Sequence, residues 1–282
     1  GDKAPEDWSK ACLKMDKVIV PSHHSRECFT EEAQKNIEVV SYATRNIKSK
    51  KIDFNLDTDF NFLTVAQWSP RKNLEETVMA FTQEFQNEDV GLILKTEISN
   101  GSNIDREETA ERLQMLLNHT VQNRKCKVYL FHGSLTDSEM VSLYKNKNVS
   151  AYITTSHGEG FGLPVFEAAQ HGVPVIAPNW GGIKDFSNGS FAELEYEVKE
   201  IEDYQVMEGM LEKESNWCFP KVESVREQMR EVYSNLSKYK KQAKAHQNFI
   251  SENFTEQSVN MRYNSIIESV IDTTEGETNE VE

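Results

Sequence analysis

Short apolar runs alternate with helix-forming segments between residues 17 and 177, and this alternation limits the possible folds more than any other feature. Each run has the length of a strand and is apolar at almost every position, which is typical of strands buried on both faces. Strands that alternate with helices form a parallel sheet covered by helices on both faces. Ligands of such α/β folds bind at the carboxyl ends of the strands. The predicted strands are Lys17–Val20, Phe62–Ala66, Val90–Leu94, Val128–Phe131, Ala151–Ile153 and Val173–Ala177.

The helices between these strands carry recognisable start signals. Asn73 with Glu76, and Thr136 with Glu139, have the spacing of a capping box, in which two side chains satisfy the first free N–H groups of a helix. After residue 185 the alternation weakens, and a helical C-terminal extension follows. The predicted helices are Thr77–Phe85, Glu107–Val121, Met140–Tyr144, Val222–Val232, Leu236–Ile250 and Thr255–Ile271, and Leu194–Val198 is predicted to be extended.

Charge and cysteine usage exclude several classes of function. The net charge of −15 argues against a general nucleic-acid surface, which would be basic. The four cysteines are scattered without a C-x-x-C pair, so neither a zinc site nor a redox site is predicted. No apolar run approaches the ~20 residues of a membrane-spanning helix, and no signal peptide is visible. We therefore expect free thiols and a cytoplasmic location.

A glycine-rich loop over residues 156–162 follows the strand that ends at Ile153, and Pro164 stands where a helix should begin. Proline suits the first turn of a helix, and the free N–H groups at a helix start favour anions such as phosphate. Glu159 and Glu167 flank the loop with seven residues between them, and their carboxylates are suited to accept hydrogen bonds from hydroxyl groups. The site thus combines N–H groups that donate to a phosphate with carboxylates that accept from hydroxyl groups. This combination indicates a sugar nucleotide as the ligand.

The run from Glu159 to Glu167, followed by His171–Ala177 and Gly181–Gly182, resembles the donor-binding motif of the family 4 glycosyltransferases. Those enzymes have the GT-B fold and retain the configuration of the transferred sugar. The resemblance covers the C-terminal, donor-binding half of the family. A short segment over residues 16–29 is similar to the end of the family's N-terminal domain, which binds the acceptor.

The resemblance implies a division of the chain into four parts. We expect residues 1–58 to be a remnant of the N-terminal, acceptor-side domain with its linker. Residues 59–250 form the Rossmann-like nucleotide-sugar-binding domain. Residues 251–272 form a helix that packs back toward the N-terminal side, and residues 273–282 form an acidic, disordered tail. Nearly all of the acceptor-binding domain is expected to be absent from this sequence.

A second motif runs from Val65 to Leu74 and places Arg71 and Lys72 between a strand and a helix start. Two cations at this position are suited to balance a diphosphate without a metal ion. In the family pattern an arginine follows the first strand's glycine and a lysine comes later. Lys72 matches that lysine, whereas Gln67 stands in the position of the arginine, and we expect Arg71 to supply the charge instead.

The resemblance also assigns roles to individual residues. Glu159 is expected to contact the donor sugar and, with Arg71 and Lys72, to be catalytic, while Glu167 binds the ribose hydroxyls. The remaining donor-binding positions are expected to be Gln67, the backbone of Gly160, Phe161, Gly162 and Leu163, and the base-binding turn Gly133, Ser134 and Leu135.

Several other residues have a competing interpretation. Asp57 and Asp59 form an Asp-x-Asp pattern that binds divalent cations in the other large glycosyltransferase fold. They precede the strand Phe62–Ala66, so we expect a linker and no metal ion or other cofactor. We interpret His157 as a loop residue, His23 and His24 as helix-start residues, and Trp180 as either a pocket wall or a packing residue.

The predicted function is transfer of a hexose from a GDP- or UDP-sugar to a glycan or other acceptor hydroxyl. The motif over residues 70–73 favours mannosyl-type enzymes that use GDP-mannose. The pattern over residues 180–186 is more similar to viral or bacterial members of the family. A missing N-terminal domain would allow peripheral membrane contact. Two alternatives stay open: a non-catalytic nucleotide-sugar-binding module, and another GT-B enzyme such as an epimerase or a glycogen-synthase relative.

Overall fold

The computed structural model describes residues 1–278 of the protein, and the side chains of residues 1–271. In this part of the chain the strands are β1 (Val18–Val20), β2 (Ile37–Val39), β3 (Asn61–Val65), β4 (Gly91–Thr96), β5 (Lys127–His132), β6 (Val149–Ile153), β7 (Val175–Pro178), β8 (Ala192–Leu194), β9 (Tyr196–Glu200) and β10 (Asn216–Pro220). The helices are α1 (Glu6–Cys12), α2 (His23–Glu27), α3 (Glu31–Gln34), α4 (Leu74–Glu84), α5 (Asn103–Asn118), α6 (Asp137–Tyr144), α7 (Leu163–Gln170), α8 (Lys184–Ser187), α9 (Val222–Ser234), α10 (Leu236–Asn253) and α11 (Glu256–Thr278).

Strands β3 to β8 form one sheet in the order β5–β4–β3–β6–β7–β8, and every neighbouring pair in it is parallel. All six runs predicted to be strands are strands. The first of them, β1, pairs with β2 in a separate parallel sheet, and β9 pairs with β10 in an antiparallel one. The central sheet is therefore the α/β arrangement that the alternation predicts.

Two apolar clusters cover the two faces of the sheet. Leu92 and Leu94 of β4 point into one cluster, which contains α4 and α9 residues such as Phe81 and Met229. Ile93 lies between them in sequence and points into the opposite cluster, which contains residues of α6, α7 and α10 such as Phe166. This switch at each residue follows from the pleat of a strand, and it confirms that helices cover both faces.

Two local predictions are corrected by the structure. Helix α5 begins at Asn103 rather than Glu107, because the Ser102 hydroxyl caps it by accepting a hydrogen bond from the backbone N–H of Asp105. Asn73 does not form a capping box: it lies in the left-handed region with φ 52°, and its side-chain amide donates to Glu76 instead. The box at Thr136 and Glu139 is confirmed. The segment Leu194–Val198 is extended as predicted, and it includes the end of β8 and the start of β9.

The C-terminal part is helical, as predicted, and it contacts the N-terminal segment. The backbone N–H of Thr44 donates to the carbonyl of Phe254 at 2.7 Å, and Arg262 of α11 forms an ion pair with Glu38 of β2. Helix α11 runs to Thr278 and so extends beyond residue 272, where a disordered tail was predicted to begin. Residues 279–282 of that tail lie outside the described residues. None of the helices within residues 1–278 has the length and apolar character that crossing a membrane requires.

Candidate functional site

The glycine-rich loop reaches the start of α7 through a backbone turn that only glycine adopts easily. Gly162 has φ 92° and immediately precedes the helix, and Pro164 lies in the first helical turn as predicted. The segment at Gly182 packs against this loop, with its N–H donating to the Glu159 carbonyl at 2.8 Å. A Cβ atom at Gly182 would lie 2.1 Å from the carbonyl oxygen of Gly160, so the loop position depends on that glycine.

Arg71, Lys72 and Glu159 meet at the carboxyl end of the sheet. The Lys72 Nζ lies 2.5 Å from Glu159 Oε1, and the Arg71 Nη1 lies 3.3 Å from Glu159 Oε2. Arg71 also donates to the carbonyl of Gly158, and its own carbonyl accepts from the backbone N–H of His157 at 2.8 Å. The two cations follow β3 and the carboxylate follows β6, so neighbouring strands bring the two motifs together.

The charges of this cluster compensate one another in a poorly solvated place. The side chains of Lys72 and Glu159 are only 13% and 11% exposed, whereas that of Arg71 is 40% exposed. Burial favours protonation of Glu159, but Lys72 and Arg71 outweigh it and hold the pKa of that carboxyl below its usual value. Burial lowers the pKa of Lys72, and Glu159 opposes the change. Glu159 thus supplies the anion that two cations beside the start of a helix require.

Glu167 lies on the other side of the loop and has different partners. The Tyr144 hydroxyl donates to Glu167 Oε2 at 3.1 Å, and the Arg45 guanidinium lies 4.0 Å from Glu167 Oε1. Burial raises the pKa of the Glu167 carboxyl, and both partners oppose the change. The carboxylate lines a cavity of about 580 Å³ together with residues such as Tyr42, Leu163 and His171.

The two glutamates line separate cavities. Glu159 faces a second cavity of about 430 Å³, whose lining includes Arg71, His24 and Ser25. The hydroxyls of Ser22 and Ser25 both donate to the carbonyl of Gly160, at 2.5 and 3.0 Å, and so fasten α2 to the glycine-rich loop. The loop therefore divides a site around Glu159 from a site around Glu167.

Of the remaining predicted donor-binding residues, Gln67 follows β3, and Gly133, Ser134 and Leu135 follow β5. Gly133 has φ 83° and forms the turn after β5, Ser134 is exposed, and Leu135 packs against the core beside α6 and α7. Gln67 is exposed, and its side-chain amide donates to the carbonyl of Ile98 at 2.9 Å. Contacts of these residues, and of Gly160 to Leu163, with a donor stay predictions.

The residues with competing interpretations have structural partners. His157 is buried, its Nδ1 lies 2.7 Å from the Cys218 carbonyl oxygen, and its ring stacks on Trp217 at 5.4 Å. His23 pairs with Asp185 at 3.0 Å. Asp57 lies in the segment before β3 and pairs with Lys127 at 3.4 Å. His157 is therefore the packed loop residue that was expected.

The ring of Trp180 lies 5.7 Å from that of His24, close to the glycine-rich loop. Its indole N–H is buried without a hydrogen-bond partner in the part of the chain that the structure describes.

Sequence reasoning missed two partners of Glu167. Tyr144 was identified only as the last residue of a helix, and Arg45 belongs to a segment without regular structure. Both come close to Glu167 only in three dimensions. A weak signal for Tyr144 was available, because an aromatic residue with a hydroxyl group at the buried end of α6 needs a hydrogen-bond partner.

Curated relatives match one half of the chain. The serotype-specific mannosyltransferase WbdA of Escherichia coli is 29% identical over 144 residues, which are 50% of this chain and 16% of that protein. The chain therefore spans only a small part of the length of the curated relative it matches.

Solved structures similar to this one cover nearly the whole chain. Sucrose-phosphate synthase from Thermosynechococcus elongatus has a TM-score of 0.67 at 16% identity, over 94% of this chain and 61% of that one. A glycosyltransferase from Rickettsia africae has a TM-score of 0.68 at 16% identity, over 95% of this chain and 68% of that one. Anabaena HepE in complex with UDP and glucose has a TM-score of 0.61 at 18% identity, over 90% and 63% of the two chains. At these identities the likeness shows the fold alone, which is that of the GT-B glycosyltransferases.

The family described as glycosyl transferases group 1 matches residues 45–204, the region that contains both Arg71–Lys72 and the glycine-rich loop with its two glutamates. This match covers more than half of the sequence, and the chain therefore belongs to the group 1 glycosyl transferases.

Proposed function

We propose that this chain is the donor-binding half of a retaining hexosyltransferase that uses a GDP- or UDP-sugar. The observation that carries the proposal is the cluster of Arg71, Lys72 and Glu159 beside the start of α7. Cations and free helix N–H groups at one point suit a diphosphate. The mannosyltransferase activity in the name of WbdA and the UDP and glucose bound to HepE are consistent with such a donor.

Arg71 and Lys72 act on the leaving group in this proposal. The bond between the anomeric carbon and the diphosphate oxygen breaks, and negative charge grows on the nucleoside diphosphate as it leaves. The acceptor hydroxyl oxygen forms the new bond, and its proton passes to the departing phosphate. Cations that are already in place stabilise that growing charge without reorganisation, and Glu159 holds both of them there while its cavity receives the sugar ring.

Glu167 binds the ribose in this proposal. Its carboxylate lines the larger cavity and is held by the Tyr144 hydroxyl, which leaves further lone pairs for ribose hydroxyl groups. The segment from Glu159 to Glu167 contains the end of the glycine-rich loop and the first turn of α7. A donor that lies across this segment places its sugar in the Glu159 cavity, its diphosphate at the start of α7 and its ribose in the Glu167 cavity.

The proposal is tested by calorimetric titration of the chain with GDP, UDP and ADP in the presence of EDTA. We expect one nucleotide to bind with a Kd in the micromolar range. Glu167→Ala should weaken it about tenfold or more, because hydrogen bonds to a charged group are lost. Glu252→Ala, an exposed change on α10, is the matched control and should leave the affinity unchanged. Absence of binding by all three nucleotides, or equal binding by the Glu167→Ala variant, would contradict the proposal; binding only after addition of Mg²⁺ would contradict metal independence.

One observation favours a non-catalytic module as the alternative. Gln67 stands where the family pattern has an arginine, and its side chain is occupied by the Ile98 carbonyl. A module of this kind would bind the donor nucleotide as above but would neither transfer nor hydrolyse the sugar. Release of GDP or UDP from a sugar nucleotide, measured with and without an acceptor alcohol, separates the two.

A further inference from the structure

Lys95 is a largely buried lysine that forms no hydrogen bond or ion pair among the described side chains. It lies near the carboxyl end of β4 and is only 9% exposed. Its ammonium group has no hydrogen bond or ion pair with any residue whose side chain the structure describes. Burial lowers its pKa, and the charge of Glu97 opposes the change. The Nζ atom is not one of the solvent-shielded polar atoms without a partner, so the ammonium group of this largely buried side chain opens to space that a ligand can occupy. A lysine so largely buried is usually paired, so its position needs an explanation.

Glu97 follows two residues later, and one of its carboxylate oxygens also lacks a partner among the described residues. Its Oε2 atom is shielded from solvent and lacks a hydrogen-bond partner within the described part of the chain. A Cβ atom added to Gly101 would lie 3.0 Å from that oxygen and 3.4 Å from the Cα atom of Gly133. The Glu97 carboxylate therefore lies close to the turn after β5, where the nucleobase is expected. A buried carboxylate oxygen without a donor is costly, which is consistent with a place that a ligand completes.

The pleat of the sheet places Lys95 on the nucleotide side. Ile93 points into the apolar cluster that contains α6 and α7, and Lys95, two residues further along β4, points to the same face. Its neighbours in register, Val65 of β3 and Phe131 of β5, pack against that same cluster. Glu167 stands on α7, which covers this face. Lys95 and Glu97 thus belong to the same end and side of the sheet as the ribose-binding glutamate.

We propose that Lys95 and Glu97 recognise the donor base as one that carries a carbonyl group next to a ring N–H, as guanine and uracil do. The inference rests on the proposed function and deepens it. The Lys95 ammonium donates to the carbonyl oxygen of the base, and the Glu97 carboxylate accepts from the adjacent N–H. Adenine lacks a carbonyl group, and its ring nitrogen at the corresponding edge carries no proton, so it leaves the Lys95 ammonium and the shielded Glu97 Oε2 atom without these partners. A site whose Lys95 and Glu97 side chains both lose their hydrogen-bond partners in this way discriminates strongly against adenine.

The test compares the affinities of GDP, IDP, UDP and ADP for the unaltered chain and for two variants, Lys95→Met and Glu97→Gln. IDP keeps the carbonyl and the ring N–H of guanine but lacks its exocyclic amine. We expect IDP to bind within a few-fold of GDP if guanine is the base, and ADP to be the weakest ligand. Lys95→Met removes a charged donor and should weaken the preferred nucleotide about 10- to 100-fold, with little change for ADP. Glu97→Gln keeps an oxygen acceptor but removes its charge, so it should weaken the preferred nucleotide about fivefold, again with little change for ADP.

Lys127→Met is the matched control, because Lys127 lies in β5 at the opposite end of the sheet and pairs with Asp57. It should leave all four affinities unchanged. Thermal unfolding is measured in parallel: Lys95→Met replaces a largely buried lysine that has no ion pair among the described side chains, and it should not lower the midpoint. If Lys95→Met does not fold, the nearly isosteric Glu97→Gln still decides the question.

The outcomes separate this inference from the proposed function. If GDP or UDP binds but the preference over ADP is the same in both variants as in the unaltered chain, Lys95 and Glu97 do not read the base and the inference is overturned alone. If none of the four nucleotides binds the unaltered chain, the proposed function fails and the inference fails with it. Tight binding of ADP that depends on Lys95 would also overturn the inference.

Discussion

Replacement of Lys72 by methionine probes the charge cluster at the centre of the site. At an effective dielectric constant of about 20, the contacts of Glu159 at 2.5 Å and 3.3 Å correspond to gross attractions of about 7 and about 5 kcal/mol. Lys72 therefore supplies somewhat more than half of the attraction on a carboxylate that stays buried. Breaking a buried ion pair costs about 3–5 kcal/mol, so the loss of this share should cost about 2–3 kcal/mol.

The assay is urea unfolding of the nucleotide-free chain. Lys72→Met should lower the free energy of unfolding by the amount above. The double variant Lys72→Met with Glu159→Gln should recover most of it, because no uncompensated buried charge remains. The matched control is Lys127→Met, which breaks an exposed pair and should cost no more than about 1 kcal/mol. A cost for Lys72→Met no larger than that of the control would refute the idea of a preorganised, poorly solvated cluster.

Three further predictions concern the elements that hold the site. Gly182→Ala should lower the free energy of unfolding by about 3 kcal/mol or more, because its Cβ atom would overlap the Gly160 carbonyl; Gly160→Ala, which meets only the Ser25 hydroxyl at 3.5 Å, should cost much less in the same urea assay. Burial lowers the pKa of His171 to about 4, against about 6.5 in the unfolded chain, so the unfolded chain binds more protons and stability falls as the pH drops from about 6.5 toward 4. Urea unfolding at pH 7 and pH 5 should therefore show a smaller pH dependence for His171→Phe, and an unchanged dependence would contradict the assignment. Thr136→Ala removes the capping box of α6 and should cost about 1 kcal/mol; a free energy of unfolding equal to that of the unaltered chain would show that the box does not stabilise the fold.

The strands of the central sheet were predictable because each is an uninterrupted apolar run buried on both faces. The strands that were missed or only partly predicted are short or polar: β2 is only three residues long, and β9, of which the extended prediction covered only the first part, contains Glu197, Lys199 and Glu200. Their backbone pairing depends on neighbours distant in sequence, such as β1 for β2 and β10 for β9. Periodicity within a short charged segment does not contain that information.

The candidate site was predictable where motif and backbone chemistry coincide. Pro164 and the glycines predicted the turn into α7, and the spacing of the two glutamates predicted their positions on either side of it. The cavity partners Arg45 and Tyr144, by contrast, reach Glu167 from a linker and from a different helix. Asn73 shows the opposite limit. Its spacing to Glu76 fits a capping box, but it ends the turn Pro70–Lys72 in a left-handed conformation, and its side-chain amide donates to the Glu76 carboxylate rather than capping the helix.

A crystal structure of the chain with its preferred nucleoside diphosphate tests the central claim most directly. The account predicts the ribose hydroxyls within hydrogen-bond distance of the Glu167 carboxylate and the diphosphate at the start of α7. It also predicts at least one of Arg71 and Lys72 on a phosphate oxygen. A nucleotide bound elsewhere, or one in this cleft whose ribose does not contact Glu167, would contradict the account.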